Sequence, residues 1–227
     1  MSHRITRRRF VQSSALLAAV GPYAASGMAG AAAPASERIT LGFIGVGKQA
    51  RGHVDRFLGM PDVQILAVSD VEPARLGDAK QTVEKGYAKQ TGGSYSGCAA
   101  YADFRELLAR DDIDAVVIST PDHWHAIPAI IAAHSGKDIY CEKPLSVFIA
   151  EGRAMVQAAR EKNIVFQTGS QQRSEFGGKF RHAAELVRNG HIGDVKTVRV
   201  GVGEAGVPCD LPTEPVPAGT DWNMWLG

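Results

Sequence analysis

The residues Gly45-Val46-Gly47-Lys48-Gln49-Ala50 set two glycines and an alanine at the spacing G-x-G-x-x-A. They follow an apolar run, Ile39-Thr40-Leu41-Gly42-Phe43-Ile44, and precede residues 49–58, which suit a helix closed by Gly59 and Pro61. Such a strand–turn–helix junction offers backbone N–H groups and the positive end of a helix dipole to an anion. A pyrophosphate reaches that backbone only past residues without bulky side chains. Gly45 would make the tight turn, Gly47 would admit the phosphate, and Ala50 would let the helix pack on the strand. Asp70 follows a second apolar run, Val63-Gln64-Ile65-Leu66-Ala67-Val68, and lies 20 positions past Ala50 (70 − 50). An acidic residue there accepts hydrogen bonds from the adenosine ribose of a dinucleotide. It also repels a 2′-phosphate, and Val71 beside it is neutral, so the expected cofactor is NAD, with NADP disfavoured.

Two more clusters follow apolar runs. Thr120-Pro121-Asp122-His123-Trp124-His125 comes after residues 114–119, and Glu142-Lys143-Pro144 after residues 138–141. Both would lie at the carboxyl ends of strands, the edge where open α/β sheets bind ligands. His123 and His125 are two apart, and such neighbours on a helix face different directions. No metal site is expected. His123 reads as a helix-start residue, and His53 and His134 as helix-surface or packing residues. Trp124 could stack on a sugar or simply pack. Asp111, Asp112 and Asp114 read as a solvated loop rather than a carboxylate pair. Cys98, Cys141 and Cys209 have neither C-x-x-C spacing nor an even count, so they read as small buried residues.

The elements that must position these residues alternate along the chain. Strands are predicted at 39–44, 63–68, 114–119, 138–141 and 164–168, and helices at 49–58, 73–85, 103–110, 123–134 and 146–162. Residues 86–97 are rich in Gly, Ser and Tyr and read as a loop. Continuous apolar strands between helices mean a doubly wound parallel α/β sheet covered on both faces. Past Thr168 a helix at 179–188 and a strand at 196–202 lead into a proline-rich stretch ending in Asp221-Trp222-Asn223-Met224-Trp225. Residues 36–168 thus read as the nucleotide-binding domain. Residues 169–227 read as the beginning of a second α+β domain with an open-faced sheet, cut short. Trp222 and Trp225 are expected to have nothing after them to pack against. Of 227 residues, 44% are apolar and 22% charged, and the net charge is +1, so nothing points to nucleic acid or an anionic membrane. Residues 1–35 carry Arg7-Arg8-Arg9, a short apolar stretch and Ala-x-Ala patterns. They read as a twin-arginine export signal, which implies a periplasmic protein with no membrane anchor after cleavage.

Taken with the glycine turn, the strings TPDHWHA, CEKPLS and GSQQRS resemble the Gfo/Idh/MocA family of sugar and cyclitol oxidoreductases, in its exported bacterial branch. EKP after a Rossmann strand is the most specific element. The resemblance implies that Gly45, Gly47, Lys48, Gln49, Ala50 and Asp70 hold the nucleotide, with Thr120 and Pro121 lining the nicotinamide side. Glu142 and Lys143 would flank the nicotinamide, and Gln171 and Arg173 would enter the cleft from the second domain. Lys143 would reach the reacting hydroxyl, where a cation stabilises alkoxide-like charge. His125 would face the cofactor and substrate cleft as a second catalytic group, and Trp124 and Arg173 would meet substrate. The family's further acid/base group would lie beyond Gly227. The implied substrate is a small carbohydrate or cyclitol, and the full-length protein is expected to be a homo-oligomer. Two other readings stay open. One is an NAD-dependent glycoside hydrolase using transient oxidation, whose members usually lack the EKP lysine. The other is a non-catalytic dinucleotide-binding protein. Titration calorimetry with both cofactors is expected to give tighter binding of NAD than of NADP; the reverse order would remove the role given to Asp70.

Overall fold

The computed structural model describes residues 37–227 apart from Glu175, Val202, Glu204, Ala205 and Cys209. The expected export signal and Cys209 therefore lie outside the described residues. Six strands form one sheet: β1 (Ile39–Ile44), β2 (Val63–Ser69), β3 (Ala99–Tyr101), β4 (Ala115–Ile118), β5 (Asp138–Glu142) and β6 (Phe166–Gly169). Their order is β3-β2-β1-β4-β5-β6, and every neighbouring pair is parallel. Helices α1 (Lys48–Leu58), α2 (Pro73–Thr91), α3 (Phe104–Leu108), α4 (Ala126–His134) and α5 (Ile149–Lys162) connect them. This is the expected doubly wound Rossmann sheet. Two further helices, α6 (Lys179–Arg188) and α7 (Trp222–Leu226), lie beyond it.

Period-two alternation along the strands builds two cores, one on each face. Ile44, Val116, Ile118 and Cys141 join Leu107, Ala129 and Met155 on one side. Phe43, Ile65, Val68 and Val117 join Val54 and Val83 on the other. Sequential strands run outward from β1 to β3. The chain then returns to the middle, so β4 pairs with β1. The carboxyl ends of β1 and β4 therefore open a crevice between connections that leave in opposite directions.

Four expectations are corrected. The third strand, β3, lies between the predicted loop at 86–97 and the predicted helix at 103–110, where no element is expected. It is a three-residue edge strand, Ala-Ala-Tyr, without an apolar run to mark it. Helix α2 continues past Lys85 to Thr91 and ends at Gly92 in the left-handed region (φ 70°). Gly86, read as the start of a loop, is instead a packing contact: a Cβ there would meet Leu58 at 3.0 Å, so its absence lets α2 close on α1. The helix expected from His123 is a 3₁₀ turn, Asp122–Trp124, followed by α4 from Ala126. Residues 196–201 form no strand, because no described strand lies alongside to accept their hydrogen bonds. The acidic loop has a structural task as well: the Asp114 carboxylate accepts from Thr40 N (2.9 Å) and Thr40 Oγ1 (2.8 Å), which fixes the start of β1.

Leu107 is fully buried beneath β1, and Gly42 leaves room for it: a Cβ on Gly42 would lie 2.6 Å from Leu107 Cδ2. Leu107→Ala is expected to cost about 3 kcal/mol of stability in urea denaturation. A loss below about 1 kcal/mol would mean that the sheet does not depend on this contact.

Candidate functional site

The glycine turn is held from three sides. Gly45 has φ 77° and donates its N–H to Ser69 O at 2.9 Å, at the end of β2. Ser119 N donates to Ile44 O at 2.9 Å, at the end of β4. A Cβ on Gly45 would stand 2.7 Å from Thr120 N, so any side chain would displace the main chain of the β4 loop. Asp70 closes the third side. Its Oδ2 accepts from Val46 N (2.8 Å) and its Oδ1 from Glu72 N (3.0 Å), joining the turn to the start of α2. Helix α1 begins with Gly47 as N-cap; no side chain caps it and its first turn has no acidic residue. Its leading N–H groups are left for an incoming anion.

In front of the turn is a cavity of about 230 Å³. Among the residues read from the sequence, Gly45, Gly47, Lys48, Gln49, Asp70, Thr120, Pro121 and Trp124 all line it. Ala50 is fully buried behind them, where α1 meets the sheet. The wall is apolar at Ile44, Val71, Phe104 and Pro128, and basic at Lys48 and Arg75. The hydroxyl of Ser119, another wall residue, is buried without a hydrogen-bond partner. An open helix start, a cradle that excludes any Cβ and an unpartnered polar atom together suit a phosphorylated ligand with an apolar end.

A second cluster sits along the same edge. Glu142 ends β5 and is only 2% exposed. Its Oε1 accepts from His53 Nε2 (2.6 Å) and Gln171 Nε2 (2.5 Å), and Lys143 N reaches Oε2 at 3.3 Å. Burial pushes this carboxyl up. Hydrogen bonds from Gln171 and His53, the charge of His53 and a bond from Gln49 outweigh burial and hold it below the usual carboxylate range. Glu142 and Gln171 are thus locked to each other rather than lining the cavity. His53, read as a surface or packing residue, is one of their anchors. The usable sequence signal was the i, i+4 spacing of Gln49 and His53, which puts both on one face of α1.

His125 also departs from expectation. It was read as facing the cleft, but it is 1% exposed. Its Nε2 lies 2.9 Å from Thr120 O and its Nδ1 2.5 Å from Pro144 O. The ring therefore bridges the β4 and β5 loops and can influence chemistry only by positioning them. Lys143 is exposed at the end of β5, followed by a cis bond to Pro144. Arg173 lies in a 3₁₀ turn, Gln171–Arg173, just past β6.

Because the Glu142 carboxyl is held low in the folded protein, its contribution to stability is complete above the ordinary glutamate value of about 4.3. That contribution is lost as the pH falls through the lower folded value. Below about pH 4.3 the melting temperature of wild type is expected to fall more steeply than that of Glu142→Gln. Parallel acid limbs would show that the cage around Glu142 contributes nothing.

Residues 39–170 match the Gfo/Idh/MocA family model, described as an oxidoreductase family with an NAD-binding Rossmann fold. A glycosyl hydrolase family 109 protein of Shewanella pealeana is 33% identical over 177 residues, covering 77% of this chain and 37% of that protein. An α-N-acetylgalactosaminidase of Shewanella oneidensis is 31% identical over 216 residues, covering 85% of this chain and 45% of that protein. The chain thus spans less than half the length of these relatives. Among solved structures, scyllo-inositol dehydrogenase from Lactobacillus casei with bound NAD(H) and scyllo-inositol superposes with a TM-score of 0.60 at 27% identity, covering 69% of this chain and 43% of that one. Sheet order, glycine turn and sequence match agree: the chain belongs to the Gfo/Idh/MocA oxidoreductase family, with its NAD-binding Rossmann fold.

Proposed function

We propose that this protein is an exported NAD-dependent oxidoreductase acting on a secondary alcohol of a sugar, glycoside or cyclitol. Lys143 is its proton-transfer group. The observation that carries this reading is the placement of Lys143. It stands exposed at the carboxyl end of β5, on the same sheet edge as the cavity, with its backbone tied to the buried Glu142. NAD, when bound, supplies the hydride acceptor. The chain's own residues supply the rest. The N–H groups at the start of α1 and the basic side chain of Lys48 receive the pyrophosphate. Asp70 keeps lone pairs for ribose hydroxyls while bracing the turn. Arg75 also lines the cavity, but its Nε is paired with Glu72 at 2.5 Å. It is therefore partly neutralised, and Asp70 sets the preference for NAD over NADP.

Alcohol oxidation releases a proton and develops negative charge on oxygen. A lysine cation beside that oxygen stabilises the charge, and its neutral amine accepts the proton. His125 and Glu142 act through position: one fixes the Pro144 carbonyl, the other the Lys143 amide. Substrate recognition and homo-oligomer formation belong to a second domain that residues 169–227 begin. Export through the twin-arginine route would carry the folded protein out with its nucleotide, so the proposal includes tightly held NAD in the periplasm.

The relatives named as glycosyl hydrolases support a second reading, in which the same oxidation is transient and eases loss of an aglycone. Lys143→Ala is expected to lower turnover at least a thousandfold, on the order of magnitude of losing a general acid–base group. NAD binding by calorimetry should stay within about twofold of wild type. Near-normal turnover in that variant would remove the role of Lys143. Product analysis separates the two readings: a ketone product with bound NADH marks a dehydrogenase, and free aglycone with no net NADH marks a hydrolase.

A further inference from the structure

With nothing expected after Trp222 and Trp225 for them to pack against, the segment Asp221–Gly227 folds back onto the carboxyl edge of the sheet. Met224 and Trp225 form part of the cavity wall. A five-residue helix has too few internal hydrogen bonds to stand alone, so its contacts decide where it sits. Asp221 caps it, with Oδ1 accepting from Met224 N at 2.9 Å, and Asp221 N reaches back to Val71 O at 3.4 Å. At the other end, Trp225 O accepts from Trp124 Nε1 at 3.0 Å and bonds His123 Nε2 at 2.9 Å. Trp222 and Trp225 stack on one another at 4.7 Å with 3° between their planes. The Trp225 ring meets His123 edge-on at 5.5 Å, and Met224 packs on the core cluster that holds Phe104 and Trp124.

We infer that residues 221–227 are a clasp forming the adenine-side wall of the nucleotide pocket. The inference rests on the dinucleotide reading given above. The pyrophosphate end of the cavity is fixed by Gly45 and Gly47, and the ribose by Asp70. What remains beyond Asp70 is walled by Val71, Phe104, Trp124, Met224 and Trp225. Flat apolar walls suit a purine, whose faces are apolar. His123 and Trp124 gain a role by the same geometry. Both anchor one of the last carbonyls of α7, that of Trp225, which the helix itself leaves unpaired. The clasp slows nucleotide release, because the base leaves only after α7 lifts from the β4 loop.

Calorimetric titration of the protein with NAD, AMP and nicotinamide mononucleotide, on wild type, Met224→Ala, Trp225→Ala and Asp221→Ala, tests this. Asp221→Ala loosens the clasp without altering the cavity wall, and thermal melts confirm that each variant is folded. NAD and AMP are expected to bind each variant about tenfold more weakly, the scale of losing one contact to a stacked base. Nicotinamide mononucleotide should be unaffected, and NADH dissociation followed by fluorescence should speed up by a similar factor. Unchanged affinity for NAD and AMP would overturn the clasp while leaving the dinucleotide reading standing. Equal weakening of all three ligands would also overturn it, since the segment would then support the domain in general. Failure of wild type to bind NAD or AMP at all would overturn the dinucleotide reading and the clasp together.

Discussion

Among the described glycines, Gly45 stands closest to the main chain of another segment, the Ser119–Thr120 peptide. A single added carbon on Gly45 would stand 2.7 Å from Thr120 N. That contact exists because β1 and β4 are neighbours, which in turn follows from the chain winding outward from β1 and then returning to its other side. Because the two strand ends meet there, the connections leaving them must part, and the crevice between them is the ligand site. The left-handed turn at Gly45 then aims the start of α1 across that crevice. Removing the glycine would not merely fill a pocket. It would separate the two strand ends whose adjacency makes the pocket.

Two carboxylates stand at the same edge and are used differently. Asp70 spends both oxygens on main-chain N–H groups, one in the glycine turn and one at the start of α2. It sets the shape of the nucleotide cradle as well as facing it. Glu142 is buried and spends its oxygens on side chains from α1 and from the loop past β6. A buried charge needs this many partners to be tolerated. The consequence is that the position of Lys143, its neighbour in sequence, is referred to α1, β5 and the start of residues 169–227 together. The Cys141 thiol just before it is buried and pushed up to about 12 by that burial, so it adds no reactive group to the edge.

The elements legible in the sequence were those whose signal is local. The apolar strands, the glycine turn, the acidic end of β2 and the chemistry after β4 and β5 all lie within short windows. The illegible features depend on contacts far along the chain. β3 is a strand only because β2 offers it an edge. Gly86 stays helical because Leu58 needs the space above it. The His53–Glu142 pair joins residues 89 positions apart. The family resemblance implies a catalytic place in the cleft for His125. Its ring turns inward instead, between the main-chain carbonyls of Thr120 and Pro144. The return of Trp222 and Trp225 was equally hidden, because their partners, His123 and Trp124, lie about a hundred residues earlier.

The split among the relatives, dehydrogenase by structure and hydrolase by sequence, is smaller chemically than the names suggest. Both readings begin by removing hydride and a proton from the same secondary alcohol. Oxidising a ring carbon makes the neighbouring C–H more acidic, so a leaving group one carbon further on can depart by elimination. What separates the outcomes is therefore not the nucleotide cradle, which both reactions need. It is whether a base stands near that neighbouring C–H and whether the ketone is reduced again before it leaves. A tightly clasped nucleotide favours the second course, because a cofactor that stays bound is still in place to return the hydride. On this view residues 221–227 bear on the reaction type as well as on affinity, since slower nucleotide release gives an oxidised intermediate more time to eliminate and be reduced in the same site.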